Sequence, residues 1–353
     1  MSRFTKSVTI VLSLALLFLL AACGAKDDNK SAASPSPSSS ASVKPSASAS
    51  AAPSASPSAS VAPANQSIKH ALGTAEIKGT PKRIVALEWV YAEDLLALGI
   101  QPAGVADIAG YKAYVNVQPA LAADVKDVGT RQEPNLEAIA ALKPDLILAP
   151  DFRIKAQYEA LNKIAPTIAF SPYPAEGQGD QYAEMETTFK TIANLTGKKA
   201  EADKVLADMN KAFEDAKAKL KAKNKENAEI VVAQGYTQQN AAVMRLYTDN
   251  SMLIQILQRA GLKNVYKADK FEVYGFSTTN VEALPKVQTA NFIHITQAND
   301  NIYENQLKDN AVWKGLAFVK ENRIYALPGN TWTFGGPLSA KVLADQAVTA
   351  LTK

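Results

Sequence analysis

The chain has 353 residues, one cysteine and a formal net charge of +4, from 38 Lys and Arg against 34 Asp and Glu. Without residues 1–22, which contain Arg3 and Lys6 and no acidic residue, the charge falls to +2, too small and dispersed to indicate a nucleic-acid partner. A single cysteine excludes a disulfide within the chain, so side-chain packing must stabilise the folded part.

The N-terminal residues follow the order of a secretory signal peptide. The basic residues Arg3 and Lys6 precede an apolar run, Val8–Leu20, that is too short to span a bilayer. Small residues then lead directly to Cys23, which resembles the lipobox of bacterial lipoproteins, where the cysteine is acylated and becomes the mature N-terminus. The alternative is an ordinary secretion signal that contains a cysteine. We predict a lipoprotein signal peptide over residues 1–22 and lipidation of Cys23.

The segment after Cys23 has the composition of a disordered tether. From Asp27 to about Gln66 the residues are almost entirely Ser, Ala and Pro, with no aromatic residue. Such a segment buries too little apolar surface to offset the entropy lost on ordering. We predict a tether over residues 23–66, with a root-mean-square reach of roughly 35 Å from flexible-chain scaling.

The remaining residues predict two lobes. Residues 67–353 exceed the length that one hydrophobic core usually supports. Short apolar segments such as 84–87 and 146–149 alternate with helical patterns, which is typical of parallel sheets with crossover helices. This alternation predicts an N-terminal α/β lobe over residues 67–197 and a C-terminal α/β lobe over residues 225–353. A cleft between them is the natural binding site, because ligands of open α/β sheets gather at the carboxyl ends of strands.

Between the two predicted lobes the pattern changes to a single apolar stripe. Val205, Met209, Phe213, Ala216 and Leu220 recur at intervals of four, four, three and four residues. This spacing predicts one long helix over residues 198–224, roughly 38 Å in length at 1.5 Å per residue.

A short internal repeat occurs once in each predicted lobe. Asn135-Leu-Glu137-Ala-Ile and Asn280-Val-Glu282-Ala-Leu each precede a short helix and then a strand. In both copies the asparagine can cap the helix, and the glutamate lies in the positive first turn. The repeat supports two lobes of related design.

Few residues suit catalysis. The two histidines are His70, beside the tether, and His294, which lies inside an apolar segment and is predicted to be a core histidine. The motifs G-x-S-x-G, C-x-x-C, H-E-x-x-H and the P-loop do not occur in the sequence. Direct binding of a soft or borderline metal is therefore poorly supported, whereas a carboxylate site for a hard cation stays open. A non-enzymatic function is favoured.

Arginine and aromatic residues follow several predicted strands. Guanidinium groups suit anionic or oxygen-rich ligands, and aromatic faces contact a bulky, partly apolar ligand. The candidates are Trp89, Arg131, Arg153, Arg245, Tyr274 and Trp332. Their shared placement after strands favours binding over isolated surface ion pairs or core aromatics.

Four segments make the chain resemble the substrate-binding lipoproteins of iron-siderophore ABC importers, closest to the ferric-hydroxamate and ferric-citrate branch. The segments are PKRIVALEW (81–89), VGTRQEPNLE (128–137), LKPDLI (142–147) and WTFGGPLS (332–339). The resemblance implies an α/β fold with two Rossmann-like lobes, joined by a single long α-helix, and a ligand cleft between the lobes. It also implies capture of a ferric-siderophore chelate outside the cell and its delivery to a permease, without enzymatic activity. A cobalamin or haem binding protein of the same fold is the alternative, and an exported α/β hydrolase, which needs an exposed His294, is a weaker one.

The resemblance also implies which residues contact the chelate and the permease. Pocket residues are implied at Trp89, Tyr114, Arg131, Arg153, Tyr274 and Trp332, and we add Arg245 from its Arg-Leu-Tyr context. At Arg153 and Tyr274 the chain departs from the tyrosine and tryptophan of a hydroxamate binder, and the extra positive charge favours an anionic, citrate- or carboxylate-containing chelate. Glu137 and Glu282 match the glutamates that dock against arginines of the permease, although each also stabilises its helix dipole.

The expected surroundings of the protein follow from the same resemblance. We expect no cofactor and no direct metal ligand, because the ferric iron is held by the siderophore. The expected partners are the chelate, an ABC permease dimer with its ATPase, and the membrane through the lipid anchor. The protein is expected to be a monomer on the outer face of the cytoplasmic membrane in a Gram-positive-type envelope.

Overall fold

The computed structural model describes residues 65–353. The signal peptide predicted over residues 1–22, Cys23 and all but the last two residues of the predicted tether lie outside the described residues. Across residues 65–353, no helix combines the length and the apolar character needed to cross a membrane.

The first half of the described chain forms an N-terminal antiparallel hairpin followed by a five-stranded parallel sheet. The hairpin strands are β1 (Gln66–His70) and β2 (Gly73–Ile77), and the sheet strands are β3 (Ile84–Ala86), β4 (Gly104–Val105), β5 (Lys126–Asp127), β6 (Leu146–Pro150) and β7 (Thr167–Phe170). The helices of this half are α1 (Trp89–Ala97), α2 (Ile108–Tyr114), α3 (Leu136–Ala141), α4 (Asp151–Ile154), α5 (Tyr158–Ile164) and α6 (Gln181–Leu195). The strand order is β5-β4-β3-β6-β7, and all neighbouring strands are parallel. Helices connect the successive strands, as the alternating pattern predicts.

One long helix follows, α7 (Lys199–Ala222), which at 24 residues is about 36 Å long. Its buried residues are Ala202, Leu206, Met209, Phe213, Ala216 and Leu220. The predicted stripe contained Val205 in place of Leu206, and this detail is wrong because Val205 is only half-buried. The observed steps of four, three, four, three and four residues average 3.6, whereas two successive steps of four drift away from the buried face.

The second half of the chain forms a six-stranded sheet. Its strands are β8 (Glu229–Gln238), β9 (Ala241–Tyr247), β10 (Lys263–Asn264), β11 (Phe276–Thr279), β12 (Asn291–Ile295) and β13 (Ile324–Leu327). Its helices are α8 (Met252–Arg259), α9 (Ala311–Gly315), α10 (Ala317–Lys320) and α11 (Pro337–Thr352), with 3₁₀ helices at Val281–Val287 and Ala298–Asp300. The strand order is β11-β9-β8-β12-β13, with β10 paired to β8. Two α/β units joined by one long helix, the predicted fold, are therefore confirmed, while the residue limits assigned to each lobe stay predictions.

The second sheet is not fully parallel, which corrects the expectation from the alternating pattern. Strands β8 and β9 form an antiparallel hairpin, and β11 pairs antiparallel with β9. The hairpin turns at Gln239 and Asn240, whose φ angles of 49° and 65° are those of the tight turns that match strand twist. Because glutamine is not a typical residue for such a turn, the sequence carries only a weak hairpin signal at this point.

The two halves are held together by helix packing around α7. The largest core cluster includes Leu95 of α1, Met209 of α7, Leu257 of α8 and Leu343 of α11. Where α1 meets α11, the buried carboxylate of Glu93 accepts hydrogen bonds from the backbone N–H groups of Gly336 and Ser339, at 2.9 and 2.7 Å. The first turn of α11 is thus capped by a side chain from the other half of the molecule.

The predicted caps of the internal repeat are confirmed. The side chain of Asn135 accepts from the backbone N–H groups of Glu137 and Ala138, and Asn280 accepts from that of Glu282 in the same way. The first copy begins an α-helix, whereas the second begins a 3₁₀ helix with Pro285 inside it. Proline lacks the N–H group that an α-helical turn would use there.

Candidate ligand-binding cleft

Two adjoining cavities lie between the two sheets. The large cavity has a volume of about 600 Å³ and the small cavity one of about 320 Å³. Arg131, Arg245 and Trp332 line both cavities and so form the boundary between them. The combined space is in the range of sites that enclose organic ligands.

All seven residues predicted to contact a ligand line these cavities. Trp89 and Tyr114 line the large cavity, Arg153 and Tyr274 line the small one, and the other three form the boundary. These residues come from both halves of the chain, so the cleft is assembled only by the tertiary fold. Their role in binding stays a prediction.

Arg131 is held in place by two tryptophans. The guanidinium carbon of Arg131 lies 3.7 Å from the ring centroid of Trp89 and 5.7 Å from that of Trp332. Trp89 is itself fixed, because its indole N–H donates to the backbone carbonyls of Ala106 and Asp107, both at 3.1 Å. Tyr114 stacks on the Trp89 ring at a centroid distance of 5.9 Å and an angle of 21°. The result is a rigid aromatic wall with a cation on its face.

Glu88 is a charged residue of the cleft that was not predicted from the sequence. Its two carboxylate oxygens accept from Arg131 Nη1 at 2.6 Å and from Arg153 Nε at 2.7 Å, and the residue is 9% exposed. The expectation of extra positive charge from Arg153 is therefore corrected, because Glu88 lies between the two arginines and offsets one of their two positive charges. A signal was present, since Glu88 lies directly before Trp89, just after the same strand.

Arg245 and Tyr274 reach the cleft by a different route from the one expected. Arg245 lies within β9 and Tyr274 precedes β11, so the shared placement after strands is wrong for both. The antiparallel pairing of these strands brings them to the cleft. Arg245 Nη1 donates to Gln234 Oε1 at 3.1 Å, and its guanidinium carbon lies 4.7 Å from the ring centroid of Phe276. Gln234, on β8, is a further lining residue that the sequence did not reveal.

The small cavity has an aromatic wall contributed by both halves of the chain. The ring of Tyr173 lies 5.4 Å from that of Phe152 and 5.0 Å from that of Tyr274. Phe152 and Tyr274 are 43% and 47% exposed, unusually open for large apolar side chains. Burial raises the pKa of Tyr173, so its hydroxyl stays protonated as a hydrogen-bond donor.

The large cavity carries two carboxylates in addition to its aromatic wall. Asp107 caps α2 by accepting from the backbone N–H of Gly110 at 3.0 Å, and its other oxygen lies 3.9 Å from Arg131 Nε. Asp300 accepts from the backbone N–H of Thr237 at 2.9 Å and from the hydroxyl of the same residue. Both carboxylates are thus held by protein donors at the cavity wall.

Three N–H groups at the boundary of the cavities have no partner within the described part of the chain. They are Arg131 Nε, Arg245 Nε and Trp332 Nε1. Buried donors without acceptors are uncommon and unfavourable. A ligand rich in acceptor oxygens would suit this boundary.

The histidines take no part in the cleft. His294 is buried, as predicted, its ring lies 4.3 Å from that of Tyr303, and desolvation lowers its pKa to about 4. The hydrolase alternative required an exposed His294 as its general base, and the burial of this histidine argues against that alternative. His70 lies 3.2 Å from the hydroxyl of Tyr158, away from both cavities. Within residues 65–353, no group of three or more His, Cys, Asp or Glu side chains is arranged to hold a metal ion.

The two repeat glutamates lie outside the cavities. Glu137 and Glu282 are exposed in the first turns of α3 and of the 3₁₀ helix Val281–Val287. Because the two copies lie in different halves of the molecule, each half presents one exposed carboxylate at a helix N-terminus. Their proposed contact with a permease stays a prediction.

Comparison with known proteins gives consistent matches. The family described as periplasmic binding protein matches residues 84–331. The Fe(3+)-citrate-binding protein YfmC of Bacillus subtilis is 33% identical, with 78% of this chain and 82% of that protein covered. The iron(3+)-hydroxamate-binding protein FhuD of Escherichia coli is 30% identical, with 74% of this chain and 83% of that protein covered.

Solved structures show the same relationship. The siderophore-binding protein FhuD of Vibrio cholerae with bound Fe3+–Desferal has a TM-score of 0.69 and 30% identity, and the match covers 77% of this chain and 98% of that structure. SirA of Staphylococcus aureus in complex with staphyloferrin B has a TM-score of 0.62 and 27% identity, and covers 81% of this chain and 98% of that structure.

Proposed function

The chain belongs to the periplasmic binding protein family, and from this membership we propose that it captures a ferric-siderophore chelate outside the cell and delivers it to the permease of an ABC importer. The proposal makes it a binding protein and not an enzyme. The relatives named for Fe(3+)-citrate and for iron(3+)-hydroxamate binding support this class of ligand. The proposed cargo is a ferric chelate whose iron is held by the siderophore and not by protein side chains.

The observation that carries the proposal is the position of Arg131. It lies against Trp89 at the boundary of both cavities, so a ligand that fills either one would lie beside its guanidinium. The oxygens of a ferric chelate would accept hydrogen bonds from guanidinium groups, and its organic body would contact the aromatic walls. Trp89, Tyr114, Arg153, Arg245, Tyr274 and Trp332 are the other proposed contacts.

We propose that Glu137 and Glu282 dock the two lobes against the permease. Each is exposed at the start of a capped helix, and each half of the molecule supplies one. Two acidic points on separate lobes fit a partner with two basic sites, as a permease dimer would present. The lobes would then report ligand capture to the permease through these contacts.

We propose that Cys23 is acylated and anchors the mature protein to the outer face of the cytoplasmic membrane. A relative from Bacillus subtilis, 32% identical, is named as a probable siderophore-binding lipoprotein, which supports this localisation. A tether raises the local concentration of a binding protein beside its permease.

A fluorescence titration tests the proposed ligand class. Trp89 and Trp332 line the cleft, whereas Trp313 lies in the core of the second sheet and supplies a constant background. We expect quenching by at least one member of a panel of ferric citrate, hydroxamate, catecholate and mixed citrate-hydroxamate chelates. Cobalamin and haem belong in the panel because they separate the alternative ligands.

The role of Arg131 is tested by substitution in the same assay. Arg131→Ala removes charged hydrogen-bond donors and should weaken binding of the chelate by about tenfold to hundredfold. Arg83→Ala is the matched control, because Arg83 is exposed, lies outside both cavities and donates to the carbonyl of Lys143. Absence of binding by every ferric chelate in the panel would contradict the proposed function.

A further inference from the structure

The cleft is lined by equal numbers of basic and acidic side chains. The charged residues that line the two cavities are Arg131, Arg153, Arg245, Glu88, Asp107 and Asp300. Three guanidinium groups and three carboxylates therefore line the two cavities, and the formal charge of the lining is zero. The three arginines alone would make the cleft cationic. Carboxylates pair with Arg131 and Arg153, and Asp300 adds a third negative charge to the wall of the large cavity.

Glu88 is the centre of this compensation. It bridges two arginines through separate oxygens, at 2.6 and 2.7 Å, while its side chain is 11% exposed and those of Arg131 and Arg153 are 17% and 19% exposed. Charges this close and this shielded from water interact far more strongly than they would in bulk solvent. Glu88 therefore offsets one of the two positive charges before any ligand enters, and Asp107, with an oxygen 3.9 Å from Arg131 Nε, adds a second negative charge beside Arg131.

The same arrangement leaves the hydrogen-bonding capacity of the arginines almost intact. Each guanidinium has five N–H donors, and Glu88 takes one from each arginine. The remaining donors can bind uncharged acceptor oxygens of a ligand. Such oxygens are bound through hydrogen bonds and do not require a net positive charge in the cleft. A ligand with several negative charges would instead lose its hydration in a cleft that offers no net charge in return.

We propose that Glu88 determines specificity by charge, so that the cleft selects a ferric chelate of low net charge over a polyanionic one. The inference deepens the proposed function and rests on it. It favours a neutral trihydroxamate type of chelate over ferric citrate, which carries several negative charges. An alternative role for Glu88 is to hold the two arginines in position without affecting the choice of ligand.

A series of charge variants separates the two roles. Glu88→Gln raises the charge of the lining by one, Arg153→Gln lowers it by one, and the double variant restores zero while removing both groups. Glu214→Gln is the control, because it removes one negative charge from a side chain on α7 that is 70% exposed and outside the cleft. Circular dichroism and thermal unfolding establish that each variant is folded.

The measured quantity is the ratio of the association constants for ferric citrate and ferrichrome, a neutral ferric trihydroxamate, at 0.15 M salt. One unit of charge within the cleft should change this ratio by about tenfold, after allowance for solvent screening. We expect a preference for ferrichrome in the unmodified protein, a ratio about tenfold higher in Glu88→Gln and about tenfold lower in Arg153→Gln. The double variant and Glu214→Gln should keep the unmodified ratio.

Each outcome decides the inference. If the variants weaken both chelates by the same factor, Glu88 only positions the arginines, and the inference is overturned while the proposed function stands. If the unmodified protein binds neither chelate nor any other in the panel, the proposed function fails and the inference with it. If Glu88→Gln does not fold, the ratios in Arg153→Gln and in the double variant still differ by one unit of charge and decide the matter.

Discussion

Replacement of Glu93 by alanine should destabilise the protein more than any surface substitution. Glu93 is fully buried on α1, and its carboxylate accepts three hydrogen bonds at the start of α11. The donors are the backbone N–H groups of Gly336 and Ser339, at 2.9 and 2.7 Å, and the Ser339 hydroxyl, at 2.6 Å. The substitution removes the acceptor and leaves these donors buried.

The magnitude follows from those three bonds. A hydrogen bond to a charged group contributes about 1.5–3 kcal/mol, and loss of a helix cap alone costs about 0.5–2 kcal/mol. Part of this is offset, because burial opposes ionisation and raises the pKa of Glu93. We therefore expect Glu93→Ala to lower the free energy of unfolding by about 3 kcal/mol. Glu93→Gln keeps an acceptor for the two backbone groups and should lower it by about 1 kcal/mol.

Urea denaturation at pH 7, followed by far-ultraviolet circular dichroism, measures these differences. Glu201→Ala is the control, because Glu201, in the first turn of α7, makes only an exposed i,i+3 pair with Lys198 and should contribute little to the free energy of unfolding. Ser339→Ala removes only the hydroxyl bond and should lie between the control and Glu93→Ala. If Glu93→Ala is no less stable than Glu201→Ala, the cap does not hold α1 against α11 and the reasoning is refuted.

Three further predictions concern pH, docking and anchoring. Burial raises the pKa of Glu184 from 4.5 to about 7, so between these pH values the folded protein keeps a proton that the unfolded chain releases. The free energy of unfolding should therefore fall by about 2–3 kcal/mol between about pH 4.5 and 7. Glu184→Gln should remove that fall in urea titrations at pH 5 and 8, and an unchanged pH dependence in this variant would contradict the prediction. The double variant Glu137→Ala with Glu282→Ala should bind the chelate normally but fail to support iron uptake by cells, and unimpaired uptake would remove the docking proposal. Cys23→Ala should release a protein into the medium that still binds the chelate and transports poorly, and normal uptake would mean that the anchor is incidental.

Much of the fold could be predicted from local patterns. The apolar segment at 146–149 lies within β6, the apolar stripe around Met209 is the buried face of α7, and Asn135 and Asn280 cap their helices. These features depend on residues within a few positions of one another, where hydrophobic period and cap chemistry leave a readable pattern. Even here, Val205 was predicted to be buried where the structure buries Leu206, because a shift of one position changes the side of the helix on which a residue lies.

The cleft was predictable only in part. Trp89 and Arg131 follow strands of a parallel sheet, and the carboxyl ends of such strands meet at one edge, so their approach could be expected. The positions of Arg245 and Tyr274 depend on the antiparallel pairing of β9 with β8 and β11. The residues of the turn at Gln239 and Asn240 are only a weak sequence signal for this pairing. Residues of this second kind reach the site through strand pairing, which periodicity does not reveal.

The sequence by itself determined the alternation of strands and helices, the long helix and the supply of arginine and aromatic residues, and it predicts an export signal. Only the tertiary structure decided the charge of the cleft, because Glu88 joins arginines that lie 43 and 65 positions further along the chain. It also decided how the halves are held together, through a cap from Glu93 to a helix 246 positions away. Contacts over such separations are set by packing of whole elements, and no local pattern of residues records them.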